Sequence, residues 1–295
     1  MSSGISSRAF PNSKLHSLKA QSAMEYLMTY GWAILIIAMV LVALFALGIF
    51  NSANFAPKAT AGACQVVRNV ESVTLQGQCQ GEMPEYVAYV SGKPVAIGNV
   101  SYGVNSFTAS AWVHPTQGSY TNVLEDHNGN GFGWELGARG CGTASEVFFR
   151  FDTSAYANQR ESPGCPSVGQ SWVFLAITVD GHQAALYGNG KYLSGLTING
   201  NVPSPSTLAF GEAMDGGGNY YGYLSDVQIY NASLSANDVE QLYMEGIGGA
   251  PIDPLHVVGW WPLNGNAQDY SGNSNNGQAQ GVSYTSAWTS GYTQP

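Results

Sequence analysis

The sequence predicts a mainly β protein: an antiparallel β-sandwich preceded by one long amino-terminal transmembrane helix. Three observations carry that reading. Residues 33–50 (AILIIAMVLVALFALGIF) contain no charge. From about Glu85 onward, short stretches of period-two alternation are separated by turns rich in Gly and Asn. Charged residues make up 10% of the chain, against about 25% in an ordinary soluble domain, and 37 of the 295 residues are Gly, nearly twice the usual share of about 7%. That composition belongs to a turn-rich exterior protein, not to a helical cytosolic enzyme.

With residues 26–32 added, the apolar run is long enough to cross a hydrocarbon layer of roughly 30 Å at about 1.5 Å per residue. It is apolar on every side, so it is not a surface-lying amphipathic helix. The first twenty residues hold Arg8, Lys14 and Lys19 and no acid; the whole chain sums to −9, so the remainder sums to −12. Basic residues ahead of a span stay in the cytoplasm, which makes the expected protein single-pass in the cell membrane with its globular part extracellular. An acidic body repels phosphate backbones, and no nucleic-acid partner is expected.

One carboxylate, Glu25, stands at the mouth of this span, where an ionised group needs a partner. A conventional secretory signal has a shorter apolar core followed by a small-residue cleavage site. Here the small-residue site, Lys19-Ala20 before Gln21, lies ahead of the apolar run. Lys19, Ala20, Gln21 and Glu25, followed by residues 26–32 and the apolar helix, resemble the class III signal peptide of archaeal type IV pilin-like proteins. The resemblance implies that a prepilin-type membrane peptidase cuts before Gln21. It also implies that Glu25, then the fifth residue, pairs with the freed amine of a neighbouring subunit if the helix assembles into a filament. The plainer alternative is an uncut anchor with Glu25 facing water at headgroup level.

The expected organisation is a leader over 1–20, a pilin-like membrane helix over 21–50, a linker with a small cysteine-bearing segment over 51–84, and a sandwich over 85–295. Four cysteines, Cys64, Cys79, Cys141 and Cys165, all lie downstream of the span, with no C-x-x-C pair and no His at zinc-finger spacing. An even number in an oxidising space suggests two disulfides. The sequence-local pairing is Cys64–Cys79 with Cys141–Cys165, and all three connectivities remain open. Two N-x-[ST] triplets, at Asn99 and Asn231, fit an exported chain.

Residues 107–113 (FTASAWV) alternate, with Phe107, Ala109, Ala111 and Val113 on one face. Residues 146–151 form a second strand, and residues 172–179 (WVFLAITV) a third, apolar enough to be central. Asp180-Gly181 and Asn189-Gly190 are hairpin signals around a return strand at 183–187. Strands at 208–211 and 223–230 complete the series. Ser235 with Asp238 three residues on is a capping box, and Val239, Leu242 and Tyr243 give that helix an apolar stripe, expected across one end of the sandwich. These stretches, in this order, resemble the laminin-G-like branch of the concanavalin A-like jelly rolls. The resemblance covers roughly residues 85–246 and implies the fold, not the function. Residues 260–277 (WWPLNGNAQDYSGNSNNG) resemble the segment that usually opens such a domain, yet here they come last. Residues 255–295 are expected to fold back as edge strands; the alternative is a truncated second copy, near the roughly 40-residue limit for unaided folding.

Glycoside hydrolysis needs two carboxylates about 5–9 Å apart across a cleft. Along single strands no such set is visible: Glu146 shares its face with Arg150, and Glu125 and Asp126 point opposite ways if extended. No G-x-S-x-G, H-E-x-x-H or phosphate-cradling loop occurs, so no enzyme is expected. Asp126, Asn128 and Asn130 followed by Gly131 open like a calcium loop, but Gly137 stands where the closing acid belongs. The competing reading is a hairpin tip. For a sugar, an aromatic platform with polar neighbours is required; Tyr220 and Tyr221 beside Asp215 and Asn219 are the chosen group, with Trp134 and Trp288 as further candidates. The expected function is surface recognition or adhesion toward glycans or surface proteins, with calcium as the one cofactor considered. The alternatives are a structural filament subunit, hence a homo-oligomer, and a tethered glycoside hydrolase.

Overall fold

The computed structural model describes residues 14–47, 49–50, 55–103, 105–116, 122–128, 130–139, 146–165, 172–202, 204–211 and 219–295, with 14–25, 27 and 139 by their backbone alone. The chain divides into two compact units between residues 54 and 55. The first contains helix α1 (Lys14–Ala46). Its stretch Met28–Ala46 has a mean hydropathy of 2.3 and none of it is buried, so it is one helix long and apolar enough to cross a membrane.

The second unit begins with β1 (Lys58–Ala59), β2 (Cys64–Arg68), β3 (Val73–Gly77) and β4 (Met83–Pro84). The sandwich strands follow: β5 (Val87–Ser91), β6 (Val95–Gly98), β7 (Ser106–Pro115), β8 (Asn122–His127), β9 (Gly133–Arg139), β10 (Glu146–Asp152) and β11 (Gln159–Glu161). Then come β12 (Val173–Asp180), β13 (Gln183–Gly188), β14 (Lys191–Thr197), β15 (Leu208–Phe210) and β16 (Tyr221–Tyr230). Helix α2 (Ala236–Met244) precedes β17 (Val257–Trp261), β18 (Gln278–Ala279) and β19 (Ser283–Thr285).

Two antiparallel sheets face each other. One runs β11-β10-β9-β8-β15-β6-β18; the other runs β14-β13-β12-β7-β16-β5-β19, with β17 also paired to β16. The alternation read in β7 sets its inner face: Phe107, Ala109, Ala111 and Val113 are wholly buried in the common core with Leu175, Ile177, Phe149 and Trp134. The two-residue turn at Asn189-Gly190 works because both take positive φ, 49° and 75°, which only Gly and Asn adopt readily.

β12 is apolar on both faces because both are covered. Outward from the core, Trp112 of β7 stacks on Tyr243 of α2 at 5.6 Å, and Phe174 lies 6.0 Å from the same ring. α2 therefore lies on the outer face of the second sheet, not across an end. Its capping box is as expected: Ser235 accepts from the Asp238 N–H and the Asp238 carboxylate accepts from the Ser235 N–H. The carboxyl-terminal residues share this face, with Trp172 Nε1 donating to the Trp288 carbonyl at 3.0 Å.

Residues 255–295 complete the one sandwich. β17 pairs with β16, β18 with β6 and β19 with β5. At the other end, residues 55–84 are part of the body and not a linker. Val66 N–H donates to the Tyr270 carbonyl, and the Arg68 guanidinium donates to the carbonyls of Ser271, Pro254 and Val257. A polar-looking segment is held because a half-buried arginine satisfies three carbonyls at once. The Cys64–Cys79 disulfide staples the β2–β3 hairpin, and closing a loop of that length contributes about 3 kcal/mol in the chain-entropy view. Cys165 is also disulfide-bonded, while Cys141 lies outside the described residues.

Candidate functional site

The outer face of the first sheet carries a row of charged side chains set directly opposite one another. The register pairs Arg160 with Arg150, Arg150 with Glu135, and Glu135 with Glu125. Like charges directly opposed across strands repel, so each residue must find compensation sideways. Arg150 turns to Glu135, with Nη1 3.3 Å from Oε2, and donates Nε to Asp152 Oδ2 at 2.7 Å. Arg160 turns the other way, to Glu146 at 2.8 Å and to Ser162 at 2.7 Å, with its guanidinium 4.2 Å from the centre of the Phe148 ring. Burial lowers the Arg160 pKa from its usual value.

Deeper in the row, Glu125, Glu135 and His127 are 0%, 1% and 3% exposed. Their donor atoms all lie within 4.8 Å of one another, with His127 Nε2 3.6 Å from Glu135 Oε1. Asn122 Nδ2 donates to Glu125 Oε2 at 3.0 Å. Glu125 and His127 share a face because they stand two apart on β8. Gly133, opposite His127, leaves room for the imidazole: a Cβ there would come within 2.5 Å of His127 Cδ2 and 1.8 Å of the Asp126 carbonyl oxygen. The accessible end of the row is Arg150, Arg160 and Glu146, with side chains 22%, 21% and 28% exposed.

A search along single strands misses the Glu125–Glu135 pair, because the two residues belong to different strands. Its signal was the hairpin around the Asn-Gly tip, which sets residues 125 and 135 opposite each other once the register is known. The carboxylates are close enough to suggest the two-acid arrangement of a glycosidase. Each, however, has one oxygen held by Asn122 or Arg150, and both are buried. The arrangement suits charge pairing and coordination better than attack on an incoming sugar.

The residues chosen from sequence lie elsewhere. Asp126 faces inward: it accepts from the Tyr102 hydroxyl at 2.6 Å and from the Ser206 and Thr207 N–H groups, while Trp134 Nε1 donates to Tyr102. Burial raises the Asp126 pKa, and these hydrogen bonds oppose the rise. Asn128 Oδ1 accepts from the N–H groups of Asn130 and Phe132, shaping the β8–β9 turn. The oxygens of Asp126 and Asn128 thus already serve protein donors. Tyr220 is wholly buried, its hydroxyl accepting from the His114 N–H and donating to the Tyr223 carbonyl. Asn219 and Tyr221 are half-buried beside it, and Asp215 lies outside the described residues. Trp134 and Trp288 are 2% and 1% exposed and belong to packed interiors. Ala20, Gln21 and Glu25 fall within α1, their side chains outside the description.

Residues 91–240 match the family model Laminin_G_3, described as the concanavalin A-like lectin/glucanases superfamily. Among solved structures, the chain is similar to a "putative carbohydrate binding protein" from Bacteroides ovatus, with 14% identity over 74% of this chain and 65% of that one, at a TM-score of 0.54. It is also similar to the heptameric SAP-like pentraxin of Limulus polyphemus (14% identity, 56% of this chain and 84% of that one, TM-score 0.47). A third is the CBM40 of a Ruminococcus gnavus sialidase bound to α2,3 sialyllactose (14% identity, 54% and 98%, TM-score 0.43). Comparison with curated proteins gives no match.

Proposed function

Since the chain belongs to the Laminin_G_3 family of the concanavalin A-like lectin/glucanases superfamily, we propose that it is a membrane-anchored protein whose sandwich recognises carbohydrate outside the cell. The observation that carries this reading is the charged row on the outer face of the first sheet. At its accessible end stand fork-shaped guanidinium donors (Arg150, Arg160) and a carboxylate acceptor (Glu146), Arg150 held by Glu135 and Arg160 and Glu146 held by each other. Sugars present closely spaced hydroxyls that both donate and accept, and such charge-assisted groups bind them well. The carbohydrate-binding description of the Bacteroides ovatus protein agrees with this reading.

The test is a glycan array probed with the full chain in detergent, with and without calcium. Saturable binding to at least one sugar class is expected. Arg160→Ala should weaken it about tenfold or more while leaving the fold intact, the usual consequence of losing a charged hydrogen bond. No binding to any glycan under either condition removes the proposal. Reducing-sugar release from a bound polysaccharide would replace recognition with the tethered hydrolase.

A second reading, a subunit of a pilus-like filament, is favoured by α1, whose apolar surface is exposed on nearly every side, including Trp32, Ile34, Val42 and Phe45. Lipid or a bundle of like helices would cover it equally well. Mass spectrometry of the mature protein should find Gln21 at the amino terminus if the leader is processed as in pilins; an intact Met1 removes that route. In processed chains, Glu25→Ala should abolish filaments and leave a monomeric anchor if the filament reading holds.

A further inference from the structure

We infer that Glu125, His127 and Glu135 form a buried site for a single first-row divalent cation of the zinc or manganese class. The inference goes beyond sugar recognition and does not depend on it. Two strands supply the ligands at matched depth: β8 gives Glu125 and His127 on one face, and β9 gives Glu135 in direct register with Glu125. Their donor atoms lie within 4.8 Å of one another, and one pair is already at 3.6 Å. Donors around a tetrahedral zinc at about 2.0–2.2 Å are separated by about 3.4 Å, so a small inward turn of the side chains closes the set. All three are at least 97% buried.

The surroundings have the form of a support layer. Asn122 holds one oxygen of Glu125, and Arg150 stands against one oxygen of Glu135. Outer partners of this kind orient ligating carboxylates and fix which oxygen meets the metal. A dication between two opposed glutamates turns their mutual repulsion into shared attraction. One imidazole with two carboxylates suits zinc or manganese; calcium takes six to eight oxygens and no nitrogen. The site is distinct from Asp126 and Asn128, whose side-chain oxygens accept from protein donors. Its expected role is to lock the β8–β9 pair and thereby fix Arg150 at the accessible end of the row.

The experiment uses the full chain in detergent, stripped with chelator and dialysed against zinc chloride or manganese chloride. One equivalent of metal per chain is expected, with X-ray absorption at the zinc edge showing one imidazole nitrogen among oxygen neighbours. Glu135→Gln should weaken uptake by about a hundredfold, and Asn130→Ala should leave it unchanged. No saturable uptake of either ion, a bound zinc without an imidazole neighbour, or uptake indifferent to Glu135→Gln would each overturn the site. The spectrum of the unmodified protein decides the matter even if the variant fails to fold.

Discussion

Replacing Trp261 by Ala is expected to lower the stability of the globular unit by about 3–5 kcal/mol, the range for emptying a buried indole site. Trp261 is wholly buried, and its ring lies 5.1 Å from that of Phe210 on the opposite sheet. Its Nε1 donates to the Asn275 carbonyl at 2.8 Å, so the substitution also strands a partly buried acceptor. Gly259 leaves the space the ring fills: a Cβ there would fall 2.1 Å from the indole. The loss is so large because a residue near the carboxyl end closes the core of a domain that begins two hundred residues earlier. Urea unfolding of the full chain in detergent, followed by tryptophan fluorescence and circular dichroism, measures it. A loss under about 1 kcal/mol would mean that β17–β19 decorate the sandwich and do not complete it. Trp261→Phe keeps an aromatic ring but not the Nε1 donor, and should recover the packing part of the difference.

Stability should fall as pH rises from about 4 to about 7, and Asp226→Asn should flatten that slope. Asp226 is wholly enclosed, at φ 49° in an irregularity of β16. Burial pushes its carboxyl up to about 7 from 3.8; hydrogen bonds from Gln228 and Trp260 pull it down, and the nearby Glu245 charge adds to the rise. In the unfolded chain the group titrates near 4. Between those values the folded protein holds a proton that the unfolded chain has released, so each increment of pH favours unfolding. The contribution is fully present below pH 4 and is lost as pH rises through about 7, on the order of 4 kcal/mol across the window. Burial also raises Asp126, which adds to the slope in the same direction. Thermal midpoints of both proteins at half-unit steps from pH 4.5 to 8 provide the comparison. Parallel curves would show that Asp226 is ionised throughout, held by its three hydrogen bonds from Gln228 and Trp260.

The features legible in the residues alone are those set by near neighbours. The uncharged run, the alternation in β7, the Asn-Gly turn after β13 and the Ser235 capping box each depend on a handful of consecutive positions. They appear in the structure at those positions. The features that were not legible depend on which strand lies beside which. Residues 55–84 look like a linker because their anchors, the carbonyls of Pro254, Val257 and Ser271, are almost two hundred residues away. Tyr220 looks like a ligand platform because its neighbours are polar, yet the pairing of β16 with β7 draws its hydroxyl between two backbone groups. Glu125 and Glu135 look unrelated until β8 and β9 are laid in register.

By itself, then, the sequence determined an apolar segment of membrane-spanning length, a β-sandwich of this class with its principal turns and one capped helix, and the two faces of its main strands, because hydrophobic periodicity and turn chemistry act over a few residues. Only the tertiary structure decided that residues 55–84 belong to the same body as the sandwich, that the aromatic candidates are interior, and that two arginines, two glutamates and a histidine converge on one sheet face. Register is a property of strand pairs, and a shift of one residue would have sent every one of those side chains to the opposite side.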